Sequence, residues 1–156
     1  MPKVDPIPAE YPRVMPYLSV DGAAKAIDFY CDILGATERL RMDGPEGKVG
    51  HAELEIGGSV IMLADVFRDM AASRSTPKAL GGSPVACMVY VEDVDDVFAR
   101  ALTAGATEVA AVEDKFYGDR SGEFEDPFGH RWHVASHVED VSAEEMAERA
   151  AQVMGT

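Results

Sequence analysis

Hydrophobic and polar residues follow two different periods along this chain. The segments "YLSV", "SVIMLA", "CMVYV" and "RWHVAS" are continuously apolar or alternate every second residue, which is typical of strands. Two other segments, "AAKAIDFYCDIL" and "VDDVFARALT", space their apolar residues three and four positions apart, which is typical of one helix face. These stripes are predicted on Ala24, Ile27, Cys31 and Leu34 in the first helix, and on Val94, Val97, Phe98, Ala101 and Leu102 in the second.

The chain also repeats itself. The tetrapeptide "GATE" occurs at Gly35–Glu38 and again at Gly105–Glu108, and each copy follows a strand and a helix. Each half closes with a hairpin, whose turns we place at Gly57-Gly58 and at Asp126–Gly129. Because matching features lie 70 or 71 residues apart, the sequence predicts an α+β protein of two tandem βαβββ modules followed by a C-terminal helix.

Composition marks the segments outside these modules. Four of the nine prolines lie in the first 12 residues, and "SAEE" at Ser142–Glu145 is a capping box that opens a last helix. The apolar stripe of this helix is predicted to dock on the body or on a second subunit, and comprises Ala143, Met146, Ala147, Ala150 and Met154. The predicted division is an extended arm (1–12), a first module (13–64), a linker or lid (65–83), a second module (84–138) and the C-terminal helix (139–156).

The two faces of the predicted strands differ in character. Side chains alternate across a strand, so each segment can be divided by parity. One face is almost wholly apolar and is predicted to pack beneath the helices: Leu18, Val20, Ile61, Leu63, Cys87, Val89, Val91, Trp132 and Val134. The other mixes small, flexible, aromatic and polar groups, which suits either a cavity wall or a partly solvated outer face: Met15, Tyr17, Ser19, Val60, Met62, Ala64, Ala86, Met88, Tyr90, Arg131, His133 and Ala135.

Charge and composition exclude several classes of partner. With 14 Lys and Arg against 28 Asp and Glu, the net charge of −14 repels nucleic acid and anionic membranes. An apolar segment of roughly 20 residues, which a membrane span needs, is absent, and the start lacks the apolar core of a signal peptide, so we expect a cytoplasmic protein. Cys31 and Cys87 are predicted to be buried thiols, because neither belongs to a CxxC or Cys/His cluster.

The doubled unit and two motifs resemble a known superfamily. The segments "SVDGAAKAIDFYCDILGATE" and "DPFGHRWHVASH", with its Asp-Pro-x-Gly turn, are similar to the vicinal-oxygen-chelate superfamily of glyoxalases, bleomycin-resistance proteins, fosfomycin-resistance enzymes and extradiol dioxygenases. "PYLSV", "YGDR" and "SHVEDVSAEEM" most resemble its PhnB-like branch, named after the phosphonate-operon PhnB protein. The resemblance implies modules whose mixed sheets curl around one cavity, and a homodimer that completes or exchanges modules.

The resemblance also indicates where a metal would be held. Members that bind a divalent metal take ligands from the first and last strand of each module, which here correspond to Met15, Met62, Ala86 and His133. A hard or borderline cation prefers carboxylate or imidazole, and thioether and methyl groups offer it little. We therefore expect no cofactor, with the divalent metal of the family disfavoured.

His133 is the candidate catalytic residue. Histidine in general has a reference pKa near neutrality, so this residue type suits a general acid or base, or a hydrogen bond to a ligand. The alternative is a structural histidine that is hydrogen-bonded by Tyr17 or Tyr90 across the sheet. Arg131 would meet either an anionic ligand group or a surface carboxylate. The predicted ligand-binding residues are Met15, Tyr17, Met62, Ala86, Met88, Tyr90 and Arg131.

The remaining histidines fit a shared metal site poorly. His130 follows the turn and is predicted to cap the hairpin or face solvent. His137 lies roughly 13 Å from His133 along an extended strand, too far to share a metal. His51 and Glu53 share a strand face, and we favour a solvated outer face over a His/Glu site.

The "YGDR" motif contains two oppositely charged residues, and the common motifs of nucleophilic catalysis are absent from the sequence. Asp119 and Arg120 are predicted to pair with each other and to fix their loop, a structural role that we favour over substrate binding. Neither a Gly-x-Ser-x-Gly elbow nor a phosphate-binding loop is present.

Three functions remain open. The first is a metal-free protein that binds a small organic molecule in a Met-lined cavity. The second is a glyoxalase-like lyase, isomerase or dioxygenase whose metal uses displaced ligands such as His51, Glu53 and His133. The third is a metal-independent enzyme that uses His133 as acid or base, and the sequence alone does not separate the first from the third.

Overall fold

Both predicted modules are present, each as a four-stranded mixed sheet with its own helix. The computed structural model describes residues 4–67 and 75–155 and divides the chain into two units, Met1–Gly81 and Gly82–Thr156. The first unit contains β1 (Tyr17–Val20), α1 (Ala23–Leu34), β2 (Thr37–Asp43), a 3₁₀ turn (Pro45–Gly47), β3 (Val49–Ile56), β4 (Ser59–Asp65) and α2 (Pro77–Leu80). The second contains β5 (Ala86–Tyr90), α3 (Val94–Thr103), β6 (Thr107–Asp114), β7 (Asp119–Glu125), β8 (Arg131–His137) and α4 (Ala143–Met154).

The two sheets have the same topology. Their strand orders are β1-β4-β3-β2 and β5-β8-β7-β6, and in each the first strand runs parallel to the last. The other neighbours are antiparallel. A parallel pair needs a long crossover, which the helix and two further strands of each unit supply. The α+β class and the tandem organisation are therefore confirmed.

The apolar strand face forms the core of each unit. Leu18, Leu63 and Val134 are at most 6% exposed, and Trp132 is buried at 2%. In the second unit Phe98 of α3 stacks edge-on with Phe124, with ring centroids 5.9 Å apart. The parity prediction for this face is thus confirmed except at Cys87 and Val91, which are only half-buried.

The predictions for the apolar stripes of the two helices have different outcomes. In α3 the prediction holds for Val94, Val97, Phe98 and Ala101, which are buried, but Leu102 is only half-buried. In α1 the predicted stripe is wrong at two of its positions, because Ala24 and Cys31 are only half-buried. The neighbouring residues Ala23 and Tyr30 are buried instead. The face that α1 buries consists of Ala23, Ala26, Ile27, Phe29, Tyr30, Ile33 and Leu34. The two large aromatic side chains of this helix direct its face toward the sheet, which counting aliphatic residues overlooked.

The hairpin turns lie where the sequence places them. Ile56 pairs with Ser59, so Gly57 and Gly58 form a two-residue turn, and Gly57 has the positive φ that such a turn requires. In the second unit Asp126 organises the turn, because its Oδ1 accepts hydrogen bonds from the backbone N–H groups of Phe128 and His130. Its Oδ2 accepts a hydrogen bond from the indole N–H of Trp132 at 2.9 Å.

The peripheral segments match their predicted types only in part. Ser142 caps α4 by accepting a hydrogen bond from the backbone N–H of Glu145, as the capping box predicts. None of the described residues of α4 is buried, so the predicted docking of its apolar stripe on the body is not seen within the described residues. Between the modules, α2 follows a Thr76 cap, and the predicted linker also spans residues 68–74, which lie outside the described residues.

Candidate functional site

The faces of the two sheets that do not pack against α1 or α3, here called the helix-free faces, carry the predicted site residues. In the second unit, the register places Met88 of β5 opposite His133 of β8, and His133 opposite Glu123 of β7. Ala86 and Tyr90 lie one row away on each side. In this unit, therefore, the structure brings together Ala86, Met88, Tyr90, Arg131 and His133.

His133 is half-buried on this face. The two structural partners that the sequence suggested are engaged elsewhere, because Tyr17 bonds to His51 and Tyr90 bonds to Asp119. Within residues 4–67 and 75–155, the His133 ring has no hydrogen-bond partner. The interpretation of His133 as a residue hydrogen-bonded by a tyrosine is therefore wrong.

Arg131 is held by a carboxylate of its own sheet. Its guanidinium forms an ion pair with Glu123, whose side chain is only 19% exposed. Of the two predicted roles, the structure favours the salt bridge, because this pairing leaves little uncompensated positive charge for an anionic ligand.

A second polar network lies at the end of the same sheet face. Tyr90 donates a hydrogen bond to Asp119 Oδ2 at 2.7 Å, and Asp119 Oδ1 lies 2.9 Å from His137 Nδ1. His137 Nε2 in turn lies 2.9 Å from Asp140 Oδ1. The hydrogen bond to Asp119 raises the pKa of Tyr90, and contacts with Asp140 and then Asp119 raise the pKa of His137. Burial acts to raise the pKa of Asp119, but the hydrogen bonds from His137 and Tyr90 outweigh it and lower that pKa.

The "YGDR" motif is structural, although not in the predicted way. Asp119 and Arg120 do not pair with each other, because their side chains leave opposite faces of β7. Arg120 instead forms ion pairs with Asp95 of α3 and Asp114 of β6. Gly118 has a φ of 99°, and a Cβ at this position would collide with the carbonyl of Glu139. The motif therefore ties β7 to its neighbours.

In the first unit, the helix-free face holds a chain of four hydrogen-bonded side chains. The Tyr17 hydroxyl lies 2.7 Å from His51 Nδ1, and His51 Nε2 lies 3.2 Å from Glu53 Oε1. Tyr11, from the N-terminal arm, donates to the Glu53 carboxylate at 3.0–3.1 Å. The guanidinium of Arg39 lies 5.0 Å from the ring centroid of Tyr11.

Glu53 contradicts the predicted solvated face. Its residue exposure is 5%, and the Tyr11 side chain contributes a hydrogen-bond donor to it. A buried carboxylate needs donors to replace water, and here a phenol and an imidazole supply them. The hydrogen bond to Glu53 raises the pKa of Tyr11. The sequence shows the spacing of His51 and Glu53, but nothing in it indicates that Tyr11 reaches back to them.

The predicted ligand-binding residues of the first unit lie less close together than those of the second unit. Tyr17 lies opposite Met62 in the parallel β1–β4 pair, and Met62 lies opposite Glu53. Met15 precedes β1 and is half-buried. The first unit therefore brings together Tyr17 and Met62, with the His51–Glu53 pair beside them.

The protein comparisons agree with this architecture. The model of the Glyoxalase/Bleomycin resistance protein/Dioxygenase superfamily matches residues 12–134. The chain belongs to this superfamily. An uncharacterized protein of Mycobacterium bovis is 48% identical over 136 residues, covering 86% of this chain and 90% of the relative.

Solved structures show the same superfamily fold. An Arabidopsis thaliana gene product is 29% identical, with a TM-score of 0.65 and coverage of 80% of this chain and 98% of that one. A PhnB protein of Bacillus cereus is 19% identical, with a TM-score of 0.62 and coverage of 80% and 99%, a likeness that concerns the fold alone.

The residues that the resemblance assigns to the metal positions of the family offer few ligands for a divalent cation. The first unit supplies the thioethers of Met15 and Met62, and the second supplies the methyl group of Ala86 and the imidazole of His133. Mg²⁺, Mn²⁺ and Zn²⁺ prefer oxygen or nitrogen ligands. Among the described residues, no group of three or more His, Cys, Asp or Glu side chains is arranged to hold a metal ion.

Nucleophilic cysteine chemistry has no support either. Cys31 and Cys87 are free and only half-buried, so the prediction that they are buried is wrong. Their partial burial still raises the pKa of both thiols. A raised pKa lowers the thiolate fraction at neutral pH, and the thiolate is the reactive form.

No helix in the described ranges is long and apolar enough to cross a membrane.

Proposed function

We propose that this superfamily member binds a small apolar or aromatic organic molecule on its helix-free sheet faces, without the divalent metal of the family. In the second unit the ligand contacts Met88, Tyr90 and His133, with Ala86 and Arg131 at the rim. In the first unit the corresponding contacts come from Tyr17, Met62 and Met15. Such binding resembles that of the bleomycin-resistance members of the superfamily.

The observation that carries this proposal is the exposure of large apolar side chains around an imidazole that has no hydrogen-bond partner among the described residues. Met88 is 52% exposed and Tyr90 is 59% exposed, although both lie within a strand. Covering such side chains removes apolar area from water, at roughly 25 cal/mol per Å². The face therefore gains free energy when an apolar molecule covers it.

The polar groups would orient the ligand. The Tyr90 ring is fixed because its hydroxyl donates to Asp119, so the ring offers a rigid surface for stacking. The His133 imidazole has both a donor and an acceptor nitrogen when neutral, and it can bond to one polar group of the ligand. Flexible methionines adapt to ligand shape, which favours a binding site over close packing.

The test is binding of indole and 1-naphthol, followed by NMR of protein labelled with ¹³C at its methionine methyl groups. We expect saturable shifts at Met88 and Met62, with the Met154 methyl on α4 unchanged. Met88→Ala should weaken binding about tenfold, which corresponds to roughly 1.4 kcal/mol. Met146→Ala on α4 is the matched control. Equal shifts at Met88 and Met154, or none at Met88, would contradict the proposal.

The metal-free part has its own measurement. Protein purified without chelator should contain far less than one tightly bound Mg, Mn, Fe, Ni, Cu or Zn per chain by elemental analysis. About one tightly bound metal per chain would overturn this part of the proposal. His133→Ala would then show whether that metal depends on the single imidazole at the family positions.

A second candidate function is metal-independent catalysis with His133 as general acid or base. The half-buried ring, which lacks a hydrogen-bond partner in the part of the chain that the structure describes, favours it, because such a group is available to exchange a proton with a bound molecule. It predicts a pH-dependent turnover that His133→Gln abolishes while the Met88 methyl still reports ligand binding. Unchanged turnover in that variant would exclude His133 as the acid or base.

We also propose a homodimer. The exposed apolar side chains of α4 support it, since Met154 is 68% and Val153 is 67% exposed. Light scattering at micromolar concentration should give twice the chain mass of 16.8 kDa. A mass equal to one chain would contradict the dimer.

A further inference from the structure

We propose that Tyr17, His51 and Glu53 form a proton relay in the first unit, which makes the Tyr17 hydroxyl a proton acceptor for a molecule with an acidic O–H or N–H group. Such molecules include phenols and enols. The proposal extends the binding function above and rests on it only in requiring that a ligand reach Tyr17. Its three members come from two strands, β1 and β3, which β4 separates in the sheet.

The relay begins at the buried carboxylate. An ionised Glu53 accepts hydrogen bonds but donates none. Its oxygens lie within hydrogen-bond distance of two groups, the Tyr11 hydroxyl and His51 Nε2. Because the side chain is only 6% exposed, water contributes little to its solvation, and a proton on Nε2 of His51 is strongly favoured.

The second step follows from this proton. A neutral imidazole with its proton on Nε2 has an unprotonated Nδ1, which is an acceptor. This Nδ1 lies 2.7 Å from the Tyr17 hydroxyl, so the phenol donates to it. The carboxylate thus orients the imidazole, and the imidazole acts as base toward a hydroxyl group, which is the general logic of an activated nucleophile.

The third step is at Tyr17 itself. Tyr17 is 39% exposed, and the relay requires that a ligand reach its hydroxyl oxygen. When a ligand X–H gives its proton to the Tyr17 oxygen, the Tyr17 proton passes to His51 Nδ1. The products are X⁻ and an imidazolium next to the Glu53 carboxylate, so all protons and charges are conserved. A buried carboxylate beside a new imidazolium stabilises the transferred charge.

Tyr90 of the second unit shows what the relay adds. It is also exposed and also hydrogen-bonded, but its partner is the carboxylate of Asp119. That contact raises the pKa of Tyr90, because ionising the phenol beside a carboxylate would place two negative charges together. Tyr17 has a neutral acceptor in the same place, so its proton can leave without creating this repulsion.

The experiment is acetylation by 4-nitrophenyl acetate, which does not depend on an unidentified ligand. Attack by the Tyr17 oxygen forms an acetyl–oxygen bond, releases 4-nitrophenolate and passes the phenol proton to His51. Release is followed by absorbance, and the acetylated tyrosine is identified by mass spectrometry. We expect Tyr17 to be acetylated faster than Tyr90 in the same sample.

Variants separate the members of the relay. Tyr17→Phe should abolish the fast phase, and His51→Phe should slow it by about 100-fold, the lower range for loss of a general base. Glu53→Gln should slow it less, by about tenfold, since it removes the orienting charge but keeps the shape. Tyr117→Phe, at an unrelated tyrosine, is the control that should leave the rate unchanged.

NMR of the histidine nitrogens measures the tautomer of His51. This tautomer would not depend on Glu53 if the three residues had only a structural role. At neutral pH we expect His51 with its proton on Nε2, and loss of this tautomer preference in Glu53→Gln. A proton on Nδ1, a doubly protonated ring, or a fast phase that survives in Tyr17→Phe would overturn the relay. Loss of the relay with intact methionine shifts on indole binding would leave the proposed binding function standing, so the two failures are distinguishable.

Discussion

The two units place a glutamate at the same point of the same sheet and surround it differently. Glu53 lies opposite Met62 in the first unit, and Glu123 lies opposite His133 in the second. Glu53 is bonded by phenol and imidazole, whereas Glu123 pairs with Arg131, whose charge is permanent. An arginine neutralises its carboxylate at every physiological pH, while an imidazole can exchange a proton. One backbone position therefore supports an ion pair in one unit and a hydrogen-bonded network of phenol and imidazole in the other.

A similar contrast occurs where each last strand meets the start of its helix. Asp65 and Ser136 are related by the 71-residue repeat. Asp65 accepts hydrogen bonds from the backbone N–H groups of Gly22, Ala23 and Val49 at 2.8–3.0 Å. Ser136 accepts one from Val94 and donates one to the carbonyl of Val91.

The helix caps explain this difference. The residue that precedes α1 is Gly22, which has no side chain to cap the helix. The residue that precedes α3 is Asp93, whose side chain accepts a hydrogen bond from the backbone N–H of Asp96. In the first unit the cap is thus supplied by Asp65 of β4, and we expect Asp65 to contribute more to local stability than Ser136 does.

The largest expected effect follows from this cap. Asp65→Ala leaves two buried N–H groups, of Ala23 and Val49, and the part-buried N–H of Gly22 without their acceptor. We expect it to lower the free energy of unfolding by about 3–5 kcal/mol. Urea denaturation, monitored by circular dichroism, measures the change. Ser136→Ala is the matched variant in the second unit and should cost about 1 kcal/mol, because Asp93 still caps α3. Equal costs at the two sites would contradict the cap supplied by Asp65.

A smaller effect is expected where the repeat replaces alanine by glycine. Gly122 in β7 corresponds to Ala52 in β3. A Cβ at Gly122 would lie 2.9 Å from both Phe98 Cε2 and Val112 Cγ2. Overpacking of this kind costs typically about 1–3 kcal/mol, so Gly122→Ala should destabilise the protein by that amount in the same urea assay.

The control for this prediction is the reverse change in the other unit. Ala52→Gly introduces no clash and should cost only about 0.5–1 kcal/mol, from backbone entropy. A stabilising Gly122→Ala would mean that α3 can move away from the sheet without loss.

The smallest expected effect concerns pH. Contacts with Asp140 and Asp119 raise the pKa of His137 above 6.5, so the folded state binds its proton more tightly than the unfolded state does. The stabilisation is fully present below pH 6.5 and is lost as pH rises through the raised folded pKa. His137→Gln should therefore lower the melting temperature more at pH 6 than at pH 9, by roughly a few degrees or less.

NMR titration of the histidines sharpens the same comparison. His137 should titrate above the ordinary histidine value. If Asp140→Asn leaves the midpoint of His137 unchanged, the raised pKa does not come from that carboxylate. Melting curves of wild type and His137→Gln that differ equally at both pH values would count against the stabilising role.

Much of the fold could be predicted because it depends on local patterns. The period-two strands, the period-three-and-four helices, the two "GATE" copies and the Gly57-Gly58 turn all record short-range preferences of the backbone. The apolar stripe of α1 was the exception, because the large aromatic side chains of Phe29 and Tyr30 determine which face of this helix is buried. Aliphatic counting alone gives these two residues too little weight.

The site was predicted less completely, for a physical reason. Parity correctly placed Met88, His133 and Tyr90 on one face of a sheet. It could not show which polar side chains find partners, because those contacts join residues far apart in sequence. Tyr11 and Glu53 are 42 residues apart, and Arg120 and Asp95 are 25 residues apart.

The sequence by itself determined the doubled α+β plan, the superfamily and the unsuitability of Met15, Met62 and Ala86 as ligands for a hard cation. These follow from backbone periodicity, repeat spacing and the chemistry of single side chains, none of which needs a tertiary contact. Only the tertiary structure decided that Glu53 is buried and that the Tyr17 hydroxyl bonds to His51. Burial and hydrogen bonding depend on distances across strands, which the β-sheet register sets and the linear sequence does not state.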